Sequence, residues 1–156
     1  MNSVEEVLVA LRRVIRATDI YSKQLAKTTG LTAPQMLLLQ TISNTDEMTI
    51  GELAGAMSLS QATVTTIMDR LEKRHLVLRQ RSTVDKRKVH ARLTPDAIKI
   101  LQQAPIPLQE NFSKHFNVLE EWEQTMIISS LQRVAKMMDA EHIDASPVLD
   151  VGVIDR

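Results

Sequence analysis

Apolar positions recur along this chain at helical spacing, interrupted once by a short stretch of strand-like alternation. From Ser3 to Lys27, apolar or tolerant residues fall at Val4, Val7, Leu11, Val14, Thr18, Tyr21 and Leu25, in steps of three and four. Such steps predict a long helix, and Leu8 and Ile15 widen its stripe. The stripe is too broad for one short neighbour and suits a helix shared with a second copy of the chain. Gly30 is the expected stop. Thr32 or Ala33 opens the next helix, with Pro34 in its first turn. Met36, Leu37, Leu38, Leu39 and Ile42 make that helix apolar nearly all round, as expected of a buried central axle. Asn44-Thr45-Asp46-Glu47 reads as a loop, and Met48-Thr49-Ile50 as a short additional strand.

The pattern then tightens. Ile50, Leu53, Ala54 and Met57 share one face of a short helix, and Leu59 sits in the turn that follows. Ser60 offers a hydroxyl to the orphan N–H groups at the start of a second helix. Val64, Ile67, Met68 and Leu71 form the apolar stripe of that helix. Its other face carries Ala62, Thr65, Thr66, Asp69, Arg70 and Lys73. One buried stripe opposite short polar side chains is the pattern of a helix that lies in a DNA groove, the second helix of a helix-turn-helix. Val77–Arg81 and Val89–Leu93 follow as strands, the second alternating with Val89, Ala91 and Leu93 on one face. Between them Ser82-Thr83-Val84-Asp85-Lys86-Arg87-Lys88 is strongly basic. A hairpin with a cationic tip directly after a groove-reading helix is a wing, drawn to phosphates and to a narrow minor groove.

Beyond the wing, Thr94 caps a helix with Pro95 at its first position, running to about Gln103. Pro105 and Pro107 interrupt it, because each removes an N–H and disfavours helix in the preceding residue. Leu108 to Phe116 resumes helically, Asn117-Val118 breaks the run, and Glu120 to His142 is expected to form the last long helix. The segment from Asp144 to Arg156 has no periodicity, yet Val148, Leu149, Val151, Val153 and Ile154 predict that it packs on something.

Composition changes this picture in three ways. The chain has 156 residues, 19 basic and 19 acidic, and no cysteine. Disulfides, thiolate metal sites and cysteine redox sensing are therefore excluded. The four histidines are scattered without ligand spacing, so no metal is expected. Charge, although zero in total, is concentrated. Between Arg70 and Arg92 stand nine basic residues against two acidic ones, a surplus of seven, while both flanks are net acidic. A local cationic patch implies a polyanionic partner, and the zero total implies weak non-specific binding. No apolar run approaches the ~20 residues of a membrane span and no leader pattern opens the chain, so a cytoplasmic protein without membrane contact is expected. No nucleophile–base pair, phosphate loop or cofactor motif stands out, so neither an enzyme nor a bound cofactor is expected.

The segment from Leu31 to Thr94 resembles the winged helix-turn-helix of the MarR family of bacterial transcription regulators. The matching residues are Leu31-Thr32-Ala33-Pro34-Gln35, Thr49-Ile50-Gly51-Glu52-Leu53-Ala54, Ser60-Gln61-Ala62-Thr63-Val64-Thr65, Asp69-Arg70-Leu71-Glu72, and Asp85-Lys86-Arg87 leading to Leu93-Thr94. The resemblance covers roughly residues 5 to 142. It departs at His75, where the family usually has a glycine suited to a left-handed helix end.

The resemblance implies a mainly α fold: a winged helix-turn-helix DNA-binding lobe with a small β-wing, plus a helical dimerisation lobe formed by the N- and C-terminal helices. Residues 1–156 would form one such domain, with the winged lobe at 32–94, dimerisation helices at 1–30 and 106–142, and a tail at 143–156. It implies a homodimeric regulator of transcription, a repressor by family habit, on a pseudo-palindromic duplex whose half-sites lie on the order of 34 Å apart. The expected DNA-contacting residues are Ser60, Gln61, Ala62, Thr65, Thr66, Arg70, Lys73, Arg79, Lys86, Arg87 and Lys88, with Asp85 structural within the wing. It also allows a small aromatic or phenolic effector that would release the DNA. The alternative is a protein-interaction module whose winged helix no longer binds DNA, against which the cationic patch argues.

Overall fold

The N-terminal stripe forms α1 (Ser3–Thr29), opened by a reciprocal cap in which Glu5 N–H donates to Asn2 Oδ1 and Asn2 N–H to Glu5 Oε2. Gly30 closes it at φ 69°, the left-handed region where a residue without Cβ carries no penalty. The computed structural model describes residues 2–45, 47–143, 145 and 149. Its further elements are α2 (Ala33–Asn44), α3 (Ile50–Met57), α4 (Gln61–Lys73), β1 (Val77–Arg81), β2 (Val89–Leu93), α5 (Pro95–Gln103), α6 (Leu108–Phe116) and α7 (Glu121–Met137).

Local capping chemistry explains most of these boundaries. Thr32 with Gln35 and Thr49 with Glu52 repeat the reciprocal cap of α1 at the starts of α2 and α3. Ser60 caps α4 through Thr63 N–H at 3.1 Å, and Thr94 caps α5 ahead of Pro95. The end of α4 shows how the chain manages without a glycine at this position. His75 adopts φ 55°, its N–H donates to Glu72 O, and Leu76 N–H reaches back to Leu71 O at 3.0 Å. This is the paired 5→2 and 6→1 closure of a left-handed helix end, carried here by a histidine.

The described residues divide into two compact units, one built from α1 to α5 and one, Ile106–Ala145, containing α6 and α7. In the first unit α2 is the axle. It packs on α3, α4, α5 and β2, and Ala33, Pro34, Met36, Leu38, Leu39 and Ile42 are buried around nearly its whole circumference. Leu53, Met57, Val64, Met68, Leu71 and Val77 complete a core almost without solvent exposure. β1 and β2 pair antiparallel in a register running from Val77↔Leu93 to Arg81↔Val89. The expected third strand amounts to one bridge, Thr49↔His90, with Ala91 N–H donating to Met48 O. That bridge fastens the wing to the entry of α3.

α1 buries Thr18, Tyr21, Leu25 and Thr29, all in its C-terminal half. Val4, Val7, Leu8, Val14 and Ile15 remain exposed. Within the second unit Phe112 and Phe116 stack with ring centroids 5.4 Å apart. Gln124 donates its amide to Phe116 O and Leu119 O, covering the end of α6. No described residue of α6 or α7 is buried, and Trp122, Met126, Leu131 and Met137 lie open. The last helix ends at Met137, short of the expected His142. Asp139 turns left-handed at φ 53°, and Ala140 N–H closes the helix on Ala135 O. The apolar pattern continued past this point, but the backbone did not. The expectation that the C-terminal tail packs falls largely outside the described residues.

Candidate nucleic-acid interface

α4 presents its polar face because its apolar one is fully used. Val64, Ile67, Met68 and Leu71 are buried against the core. Of the residues expected to meet DNA, Ser60, Gln61, Ala62 and Lys73 are exposed, while Thr65, Thr66 and Arg70 are partly covered. Several of these groups are already held. Ser60 Oγ lies 2.9 Å from Thr63 Oγ1, and Thr66 Oγ1 donates to Ala62 O. Short side chains fixed this way leave the helix surface smooth, which lets a backbone approach a groove closely.

The wing tip is built by its own polar atoms. Ser82 N–H donates to Lys88 O and Lys88 N–H to Asp85 O, both at 2.9 Å. Ser82 Oγ accepts from the N–H groups of Val84 and Asp85. Asp85 Oδ1 accepts both the backbone N–H and the Nε–H of Arg87, at 3.1 and 3.3 Å. The carboxylate thus shapes the turn and aims the guanidinium, whose side chain stays 92% exposed. Lys86, Lys88 and Arg81 are exposed as well.

Arg79 lies elsewhere than among these open cations. Its guanidinium donates to Asp69 Oδ1 at 2.6 Å and to Glu72 as well, joining β1 to the outer face of α4. Burial acts to lower its pKa, but the bonds and fields of Asp69 and Glu72 outweigh this and raise it. Arg92 is likewise paired, with Glu47 at 2.8 Å. Exposed basic side chains therefore stand chiefly along the hairpin, at Arg81, Lys86, Arg87 and Lys88, and at Lys73 of α4.

Two positions escaped sequence reasoning. Arg74 donates to Gly30 O at 2.8 Å and to Thr29 O at 3.2 Å, tying the end of α4 to the end of α1. A contact spanning 44 residues leaves no trace in local spacing; the only hint was a basic residue at a helix end, where carbonyls lack partners. Gly51 is the other, because a Cβ there would come within 3.0 Å of Gln61 Nε2.

Glu52 links α3 to the wing electrostatically. The Thr49 backbone N–H bound to its carboxylate is the chief cause that holds its pKa below the ordinary 4.5. Partial desolvation opposes this, while the Thr49 hydroxyl and the charges of Lys88 and His90 add to the lowering. A depressed folded pKa stabilises the native state above the unfolded value, and that contribution is lost as pH falls through the folded one. Glu52→Gln keeps the cap but removes the charge. Its urea midpoint is expected to lie below the wild-type one near pH 7, with the gap closing as pH approaches 3. An equal gap at both pH values would show that the charge plays no part.

The MarR family model matches residues 31–89. YsmB of Bacillus subtilis (strain 168), an uncharacterised HTH-type transcriptional regulator, is 28% identical over 138 residues, covering 88% of this chain and 94% of its own. A crystal structure of a MepR-like protein with pseudoligands superposes with a TM-score of 0.60 at 22% identity, over 88% of this chain and 97% of that one. BpsR of Bordetella bronchiseptica, whose DNA binding is regulated by 6-hydroxynicotinic acid, gives a TM-score of 0.58 at 26% identity, over 86% and 96% of the two chains.

Proposed function

The chain belongs to the MarR family of transcription regulators, and from that premise we propose that it binds duplex DNA as a homodimer and represses transcription from a pseudo-palindromic site. The observation that carries the reading is the pairing of two surfaces on one compact unit. A groove-sized helix face of short polar side chains stands on a sealed core, beside a hairpin whose tip exposes Lys86, Arg87 and Lys88. In this reading the face of α4 meets base edges and phosphates in the major groove. Arg87, aimed by Asp85, enters or borders the adjacent minor groove.

Apolar surface left uncovered in the single chain supports the dimer. The N-terminal half of α1 and the face of α7 around Trp122 and Leu131 are exposed, more than an isolated regulator would leave in water. A second copy is the partner such helices suit. Control by a small aromatic or phenolic effector is a separable part of the proposal, supported by the regulation of BpsR. It would act by shifting the spacing of the two reading helices.

Size-exclusion chromatography tests the dimer: the expected mass is twice the 17.6 kDa of one chain. Anisotropy titration with a selected duplex tests the rest. The logarithm of affinity should fall linearly with the logarithm of salt concentration. Arg87→Ala should weaken binding by about 1–2 kcal/mol and reduce that slope by about one. A monomer that ignores duplex DNA at low salt would leave only a protein-interaction role. An unchanged slope would remove the wing from the interface.

A further inference from the structure

α3 contains two glycines, and neither is there for its backbone, since Gly30 is the only described glycine at positive φ. Glycine inside a helix is destabilising relative to alanine because it loses more chain entropy. Around Gly55 the space is open: a Cβ there would meet nothing within 4 Å, so the position has room for alanine. Gly51 differs. A Cβ there would come within 3.0 Å of Gln61 Nε2 and 3.8 Å of its Cδ. The carboxamide of the first residue of α4 therefore rests on the bare backbone of the second residue of α3.

We propose that Gly51 is a specificity-positioning residue: its missing Cβ seats the Gln61 carboxamide and fixes how that group is presented to a base pair. The proposal rests on the DNA-binding reading above. Gln61 is exposed at the N-terminal end of α4, the end from which a reading helix contacts base edges. A carboxamide discriminates by offering a donor and an acceptor together, as in its bidentate pairing with adenine, so its orientation determines what it reads. A glutamine free in water must lose rotamer freedom when it binds, whereas a seated one has already lost part of it. The neighbour at 3.0 Å is the far end of a flexible side chain, so an added methyl group displaces the amide and leaves the helix packing intact.

The experiment selects duplexes from a randomised library with the wild-type protein, Gln61→Ala, Gly51→Ala and Gly55→Ala, and records the melting temperature of each. Gln61→Ala should erase one base preference per half-site, a loss of roughly 5- to 150-fold in discrimination. Gly51→Ala should weaken the same preference by at least about 5-fold without lowering the melting temperature. Gly55→Ala should keep every preference and melt about 2–4 °C higher. The proposal is overturned if Gly51→Ala retains wild-type preferences while Gln61→Ala loses one; the DNA-binding reading would then stand. It is also overturned if Gly51→Ala melts lower and loses all preferences together, which is a packing defect. If Gln61→Ala changes no preference, Gln61 does not read bases and the proposal fails with that assignment. If the wild-type protein selects no duplex, the functional reading itself fails.

Discussion

Leu71→Ala is expected to lower the free energy of unfolding by about 2–5 kcal/mol, read as a fall in urea midpoint at unchanged slope. Leu71 is fully buried. It also lies where two features of the interface converge. Its carbonyl accepts Leu76 N–H in the left-handed closure of α4, and that closure starts the chain toward β1 and the wing. Removing the side chain opens a cavity between α4 and the core, and the lost transfer energy and cavity cost add. Against a typical total of about 5–15 kcal/mol, this is a large fraction. Thr65→Ala, on the other face of the same helix, should change stability by less than about 0.5 kcal/mol while weakening DNA binding. A Leu71→Ala effect below about 1 kcal/mol would mean that the C-terminal turn of α4 is not anchored in the core.

The two faces of α4 also show what the sequence made legible. Val64, Ile67, Met68 and Leu71 declare the buried stripe because helical spacing is a local property. Thr94-Pro95 and Gly30 mark helix ends for the same reason. Both ends of α5 and the start of α6 follow from Thr94, Pro95, Pro105 and Pro107. Where the reading overran, at the C-terminus of α7, the apolar period persisted beyond the point at which Asp139 turned the backbone. His75 shows the converse, since a residue less suited than glycine still takes the left-handed position.

The candidate interface was legible in outline only, for a physical reason. Counting charge along the chain treats each cation as available, but availability depends on partners distant in sequence. The cationic window began at Arg70 and so left out Asp69, one residue earlier, which takes up half of the Arg79 guanidinium. Arg92 meets Glu47 across 45 positions, and Arg74 reaches the end of α1 across 44. Gln61 was legible as an exposed polar residue, whereas its seat on Gly51 depends on how closely α3 and α4 approach.

Arg79→Ala is expected to weaken duplex binding by roughly 100-fold at low salt, about 2–3 kcal/mol, although the guanidinium is already paired within the protein. Its side chain is 26% exposed and bridges Asp69 and Glu72 on the outer side of α4. Truncation leaves two carboxylates without their cation on an element that, in the proposed complex, faces a line of phosphates. Most of the loss should then be repulsion, which weakens as salt shortens the Debye length toward 8 Å near physiological ionic strength. Direct phosphate contact by Arg79 predicts a loss of similar size, so the single variant does not separate the two causes. Adding Asp69→Asn and Glu72→Gln to Arg79→Ala does. If Arg79 serves to neutralise its neighbours, the triple variant should recover most of the lost affinity, because no uncompensated acid remains. If the guanidinium grips DNA itself, the triple variant should regain only the repulsive part of the loss and stay well below the wild type, because the phosphate contact is still missing. Full recovery would identify the ion-paired arginine as a positioning residue on α4, acting on DNA through the acids it covers.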